Sequence, residues 1–242
     1  ALAALLAGCG AEVGPQTTGD TDVADPDDTA VPGESILVEV LPGSQNHSPD
    51  GTWWGYNMTK IARFGERTFT YVIANEDDAA TPSEFQIWMK AGDGDWVPGA
   101  SFPTSRPGNL VVDSAGALHA FVFEPVDLLA NDSIGRLVHY TLPGAGVGDI
   151  EASESEIVVD NDGTQETANI RVGAAIGPDG TLAFAYGHID WANSEVAHSE
   201  EVYVRAPGES NWVRHYAGVQ LEHEYYYPFV TVSEHGIGVL AV

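Results

Sequence analysis

Two short units recur along this chain, and they constrain its fold more than any other feature of the sequence. One unit is a strand, a turn rich in Gly and Asp, and a return strand opened by Trp, and it occurs at 87–97 and again at 202–213. The other is a pair of strands joined by a tight turn, and its turn glycines are Gly65, Gly116, Gly180 and Gly236. These glycines are 51, 64 and 56 residues apart. We therefore expect a series of similar modules of about 55 residues each.

Each period contains apolar and aromatic segments for four strands, separated by Gly and Pro, and no helical apolar period longer than a turn or two. Four strands per module is the content of one β-propeller blade. The sequence therefore predicts an all-β fold, a β-propeller of four-stranded blades over 36–242. About three and a half blades fit in this length, of the roughly five to seven of an intact parent, so we expect a truncated C-terminus. A β-sandwich is the alternative fold, and the repeat counts against it.

The order of the elements resembles that of sialidase-like β-propellers and the wider group of BNR-repeat proteins. Ser48–Trp53 is similar to the Asp-box turn of that group, although it is one residue shorter between Asp and Gly and one shorter between Gly and Thr. The resemblance implies that the innermost strand of each blade lines a central channel. It also implies that the loops entering this strand form the binding face.

The chain begins with eight uncharged small and aliphatic residues that end at Cys9, the only cysteine of the sequence. Such a segment is too short to span a bilayer, which needs about 20 apolar residues. The stretch Leu6-Ala7-Gly8-Cys9 resembles the bacterial lipobox. The resemblance implies that 1–8 is the end of a lipoprotein signal peptide, that residues upstream are missing, and that Cys9 is lipidated. An inert buried cysteine is the alternative. We expect a lipid-anchored protein of the bacterial cell envelope, periplasmic or surface-exposed.

Residues 9–35 combine the lipidated Cys with a segment of Asp, Glu, Thr, Gly and Pro that has no aromatic residue, which is typical of a disordered linker. The whole chain carries 36 acids against nine bases, a formal charge of −27. This balance argues against nucleic acid and against direct attraction to anionic lipid, since both need basic surface. We expect a monomer that meets the membrane through its anchor only.

Polar and aromatic residues lie at the predicted loops before the innermost strands, and together they suit a sugar. Rings stack on the C–H faces of a sugar, while amides and guanidinium groups hydrogen-bond its hydroxyls. Ordinary packing between blades, and pairing of each Arg with a carboxylate, are the alternatives. The predicted substrate-binding residues are Trp54, Tyr56, Asn57, Arg106, Asn109, Arg136, Asn169 and Arg171.

The BNR-repeat group includes ulvan-lyase-like propellers, which cleave uronate polymers by β-elimination. That chemistry needs a cation to neutralise the carboxylate, a base for the C5 proton and an acid for the leaving oxygen. The resemblance implies His119, His139, Tyr186 and Arg205 as the catalytic residues. The strong negative charge of the chain counts against a polyanionic substrate.

Two other functions stay open: a sialidase-like glycoside hydrolase, for which three arginines would clamp the substrate, and a propeller that recognises a glycan or a protein without catalysis. We predict no cofactor and no metal site. The acidic segments at 75–78 and 160–163 could bind calcium, but neither has the spacing of an EF-hand loop.

Overall fold

The computed structural model describes residues 59–74, 83–104, 107–125, 135–160, 167–190, 197–218 and 228–241. The predictions of a signal peptide, a lipidated Cys9 and an acidic linker fall on residues outside these ranges. The described residues form strands arranged in three four-stranded antiparallel sheets and one two-stranded sheet. We call these sheets blades A to D in chain order.

The strands pair with their neighbours in chain order in every blade. Blade A contains β1 (Ile61–Phe64), β2 (Arg67–Ala74), β3 (Glu84–Ala91) and β4 (Trp96–Pro103). Blade B contains β5 (Asn109–Val112), β6 (Leu118–Pro125), β7 (Gly135–Leu142) and β8 (Glu154–Val159), with a 3-10 turn at Ala145–Val147. Blade C contains β9 (Thr167–Ile176), β10 (Leu182–Asp190), β11 (Ala197–Arg205) and β12 (Val213–Gly218). Blade D contains β13 (Pro228–Ser233) and β14 (Gly236–Ala241).

The two sequence repeats correspond to two hairpins of the blade. The turn glycines join the first and second strands of all four blades, and Gly65, Gly116, Gly180 and Gly236 have φ angles of 58°, 91°, 90° and 135°. Residues that carry a side chain rarely adopt these φ angles, so glycine is the residue that the turn requires. The unit that ends in Trp is the hairpin of the third and fourth strands in blades A and C. The prediction of an all-β chain of four-stranded propeller blades is confirmed.

The first strands of successive blades lie beside one another, and Asn109 in β5 connects three of the blades. Its side-chain carbonyl accepts a hydrogen bond from the backbone N–H of Thr59 at 3.0 Å, just before β1. Its amide group donates to the carbonyl of Val172 in β9 at 2.7 Å. Asn109 is fully buried. Gly173 of β9 meets the carbonyl of Pro228 so closely that a side chain would not fit.

Alternation along the strands gives blade B two buried faces. The face of blade B toward blade A carries Leu118, Ala120 and Val122, and these pack on Phe69, Phe85 and Ile87. The face of blade B toward blade C carries Phe121 and Phe123, and these pack on Phe184. The core is therefore divided into layers between blades.

None of the described elements is a helix long and apolar enough to cross a membrane.

Candidate functional site

A hydrogen-bonded network of polar side chains lies between blades B and C. The strand register of blade B produces half of it, because His139 of β7 lies directly opposite Phe121 of β6 and Glu156 of β8. His119 of β6 lies opposite Thr141, in the next row on the same face. Paired residues of an antiparallel sheet share a face, so both imidazoles and the Glu156 carboxylate point toward blade C.

Blade C supplies the other half of the network. The Nη1 atom of Arg205, at the end of β11, donates to Oε1 of Glu156 at 2.5 Å. The indole N–H of Trp212 donates to the same oxygen at 3.1 Å. The Arg205 guanidinium also lies over the Trp212 ring, 4.7 Å from its centroid, which adds a cation–π contact. Glu156 therefore joins the two blades.

The aromatic rings around the network hold it in place. Phe121 stacks on His139 with ring centroids 4.8 Å apart. The edge of Trp212 meets His139 at 5.7 Å and Phe184 at 5.0 Å. These contacts restrict the imidazole and the indole to one orientation, and so fix the direction of their hydrogen bonds.

The contacts also determine which ring nitrogens carry protons. His139 Nδ1 lies 2.7 Å from the Glu156 carboxylate, so it must carry a proton. In the neutral ring His139 Nε2 then accepts, and His119 Nδ1 must donate to it across 3.0 Å. This leaves His119 Nε2 as a bare, buried acceptor, 3.7 Å from an oxygen of Asp113. Three polar contacts thus link Asp113, His119, His139 and Glu156 in series. When both imidazoles are neutral, only two ring protons are shared among these three contacts.

Burial sets the charge of the network. Burial and the neighbouring His139 lower the pKa of His119 to about 4. Burial also lowers the pKa of His139, against the opposing effect of its hydrogen bond with Glu156. The hydrogen bond from His139 lowers the pKa of Glu156 to about 2, although 36% of this side chain is exposed. At neutral pH the network is therefore a carboxylate and a guanidinium beside two neutral imidazoles.

A second polar group lies on the same face of blade C. The Tyr203 hydroxyl donates to Glu201 at 2.6 Å, and Arg214 donates to the other oxygen of that carboxylate at 3.3 Å. Tyr186 lies opposite Glu201 in β10. Burial and the nearby Glu201 raise the pKa of Tyr186, so its hydroxyl stays protonated.

The structure thus brings together His119, His139 and Arg205 in one network and places Tyr186 in the adjoining group. Asn109, which we predicted to bind substrate, lies between the first strands. Arg136 pairs with Glu124, its cross-strand neighbour, at 2.9 Å. Asn169 and Arg171 lie in β9, but their side chains are outside the described part of the structure. Trp54, Tyr56, Asn57 and Arg106 also lie outside it.

Sequence reasoning missed Asp113, Glu156, Glu200 and the site role of Trp212. Trp212 was visible as the Trp of the repeat, but its contact with Glu156 depends on how two blades pack. Glu200 lies in β11 on the face opposite to the network, and it is 5% exposed. In the described ranges, no three His, Cys, Asp or Glu side chains converge as a metal site would require.

No protein-family model matches this sequence, and no curated protein matches it. Among solved structures, an endo-arabinase from Bacteroides thetaiotaomicron VPI-5482 has a TM-score of 0.46 and 12% identity, over 75% of this chain and 68% of that one. An α-L-arabinanase from Penicillium chrysogenum, complexed with arabinobiose, has a TM-score of 0.47 and 14% identity, over 76% of this chain and 57% of that one. At such low identity the likeness concerns the fold alone.

Proposed function

We propose that this chain is an extracytoplasmic propeller that acts on a neutral polysaccharide, by hydrolysis rather than by β-elimination. The observation that supports this choice is that His119, His139 and Arg205 are all engaged in one hydrogen-bonded network with Glu156.

β-Elimination needs a base with a free lone pair that can reach a C5 proton, and a cation free to bind the uronate. The His139 ring nitrogens are both used in hydrogen bonds, and its side chain is 1% exposed. The free nitrogen of His119 faces Asp113, and its side chain is 7% exposed. Arg205 is held by Glu156 and Trp212. The residues that elimination would use are therefore occupied inside an inter-blade contact.

Hydrolysis of a glycosidic bond requires carboxyl groups instead, one protonated and one ionised. Carboxyl groups are what this chain has in excess, with 36 acids against nine bases. The same charge repels a uronate polymer and leaves a neutral one unaffected. Both arguments favour the glycoside hydrolase over the lyase.

The test is to incubate the protein with neutral polysaccharides (arabinan, xylan, mixed β-glucan) and with uronate polymers, and to measure two products. We expect new reducing ends from a neutral polymer, without the ultraviolet absorbance of unsaturated uronate ends. Unsaturated ends from any uronate polymer would overturn the proposal. Binding to a polymer without any cleavage would instead support a recognition propeller.

The cellular location in this proposal rests on Cys9. A Cys9→Ala variant should move from the membrane to the soluble fraction, and Cys9→Ser should behave in the same way, because neither can be acylated at sulfur. Retention of both variants in the membrane would exclude the lipid anchor.

A further inference from the structure

The hairpin repeat places equivalent side chains at the same point of blades A and C. The alignment of 87–97 with 202–213 matches three pairs of residues: Trp88 with Tyr203, Lys90 with Arg205, and Trp96 with Trp212. In blade C the last two pairs supply the residues that hold Glu156 of blade B. Blade A therefore carries a second copy of the half-joint that receives a carboxylate, with Lys in the place of Arg.

This half-joint lies on the face of blade A that is turned away from blade B. Ile87 and Met89 of β3 belong to the apolar layer between blades A and B, so alternation along the strand directs Trp88 and Lys90 to the opposite face. Lys90 is paired with Trp96 across β3 and β4. The equivalent face of blade C is the one that packs on the preceding blade.

The same face combines a covered aromatic ring with a row of cations. Trp88 is 6% exposed, and its indole N–H donates to the side-chain carbonyl of Gln86 at 3.2 Å. It belongs to neither of the two apolar layers that lie between described blades. Beside it, one row of strand pairing carries Arg63, Lys90 and Trp96. Such a face suits an acidic segment with apolar residues on either side of the acid.

The segment 36–41 has this chemistry. It reads Ile-Leu-Val-Glu-Val-Leu, and Glu39 is its only charged residue. In an extended chain Leu37, Glu39 and Leu41 share one side, which presents one carboxylate between two apolar side chains. Glu156 of β8 has a similar setting, because the aliphatic residues that follow it pack in the layer between blades B and C.

The position of this segment in the chain favours it over the other acids. Residues 42–60 connect it to β1 and can span up to about 60 Å. This connection holds the segment at a high effective concentration beside blade A. Residues 10–35 contain more acids, but they have no aromatic residue, Leu or Ile to cover Trp88.

We propose that blade A binds the segment 36–41 of its own chain on the face turned away from blade B, with the Glu39 carboxylate between the Lys90 ammonium and the Trp96 indole N–H. The contact repeats the one that Glu156 makes with Arg205 and Trp212. It goes beyond the proposed function and does not depend on it.

The test is zero-length cross-linking of the full chain with a water-soluble carbodiimide, which joins an amine to a carboxyl group in direct contact with it. Lys60 and Lys90 are the only lysines of the sequence, so mass spectrometry after digestion identifies the amine partner. We expect an amide between Lys90 and Glu39. Glu39→Gln should lose this cross-link. Glu34→Gln is the matched control and should keep it, because in an extended chain Glu34 lies on the opposite side from Glu39.

Hydrogen exchange measures the same contact without a cross-linker. Lys90→Gln removes the cation, so exchange of the backbone amides of 36–41 should become about tenfold faster than in the wild type. Lys90→Arg keeps the cation but cannot form the amide, so it should lose the cross-link and keep the wild-type exchange rate. Unchanged protection of β6, in the core of blade B, shows in each variant that the blades stay folded.

Three results would overturn the proposal. The first is a cross-link from Lys90 to a carboxyl group other than Glu39. The second is exchange in 36–41 that Lys90→Gln leaves unchanged, and this result decides where no cross-link forms. The third comes from a mixture of ¹⁵N-labelled and unlabelled protein: cross-linked peptides that combine the two isotopes would assign the face to a second copy of the chain.

Discussion

The interface between blades A and B and the interface between blades B and C use the two faces of the same sheet, blade B. Their chemistry is nevertheless different. Between A and B the layer is apolar: Phe85 stacks on Tyr71 within blade A at 3.9 Å, and Phe102 of blade A stacks on Tyr140 of blade B at 3.8 Å. The Tyr71 hydroxyl, the polar atom of this stacked pair, donates a hydrogen bond to the backbone carbonyl of Gly108 at 2.9 Å. Between B and C the corresponding layer contains two histidines, a glutamate and an arginine.

The comparison shows that the repeat itself does not require the polar network. A blade of this chain packs on its neighbour with aromatic and aliphatic side chains, and buried ion pairs are often no more stabilising than such packing. The network is therefore an addition to the fold, and it remains stable because nearly every polar atom in it is hydrogen-bonded. Four experiments examine this difference between the interfaces, in order of decreasing effect.

The largest effect should come from the apolar interface. Phe85 is fully buried in the A–B layer. Phe85→Ala removes the ring and leaves a cavity, which costs about 3–5 kcal/mol of unfolding free energy. Denaturant melts of the wild type, Phe85→Ala and Phe85→Leu should show a graded loss, with Leu in between. An equal loss for Leu and Ala would contradict a contribution that scales with buried volume.

The next effect concerns the pH dependence of the B–C interface. The folded pKa of His119 is about 4 and its ordinary value is 6.5, so the unfolded chain binds the extra proton between these values. The contribution of His119 is thus fully present above pH 6.5 and is lost as the pH falls toward 4, by on the order of 2–3 kcal/mol. Melts from pH 7 to pH 4 should show a smaller loss in His119→Gln. His235→Gln, at a side chain that is 87% exposed, should keep the wild-type slope.

Removing the bridging carboxylate should have a somewhat smaller effect. Glu156→Ala leaves Arg205, Trp212 and His139 without their shared acceptor, and we expect a loss of about 1–3 kcal/mol. Replacing His119, His139, Glu156 and Arg205 together by Leu converts the layer to the apolar kind and should recover much of this loss. If the quadruple variant were less stable than Glu156→Ala, the two interfaces would not be interchangeable in the way that we infer.

The smallest effect should come from an ion pair at the margin of blade B. Arg136 pairs with Glu124, and its side chain is 43% exposed. Such pairs contribute about 0–1 kcal/mol, so Arg136→Ala should shift the denaturation midpoint only slightly. A loss as large as that of Glu156→Ala would show that exposure does not separate the two pairs.

The blades could be predicted from the sequence because their hairpin turns depend on local geometry. Gly65, Gly116, Gly180 and Gly236 are required by the backbone angles of single turns, and so they recur at a visible spacing.

The network could not be predicted in the same way, because it depends on register and on packing between blades. His119 and His139 are 20 residues apart, and the alignment of β6 with β7 decides whether they meet. Glu156 follows a long connection with a 3-10 turn, and its distance from Arg205 is fixed only when blade C docks on blade B.

Asn109 couples the stability of each blade to that of its neighbours. One side chain from blade B satisfies a backbone donor beside blade A and a backbone acceptor in blade C, so neither neighbour can leave without exposing an unpaired buried group. Local opening of one inner strand is thereby coupled to the opening of the next. The blades that Asn109 connects are in this way able to unfold as a single unit.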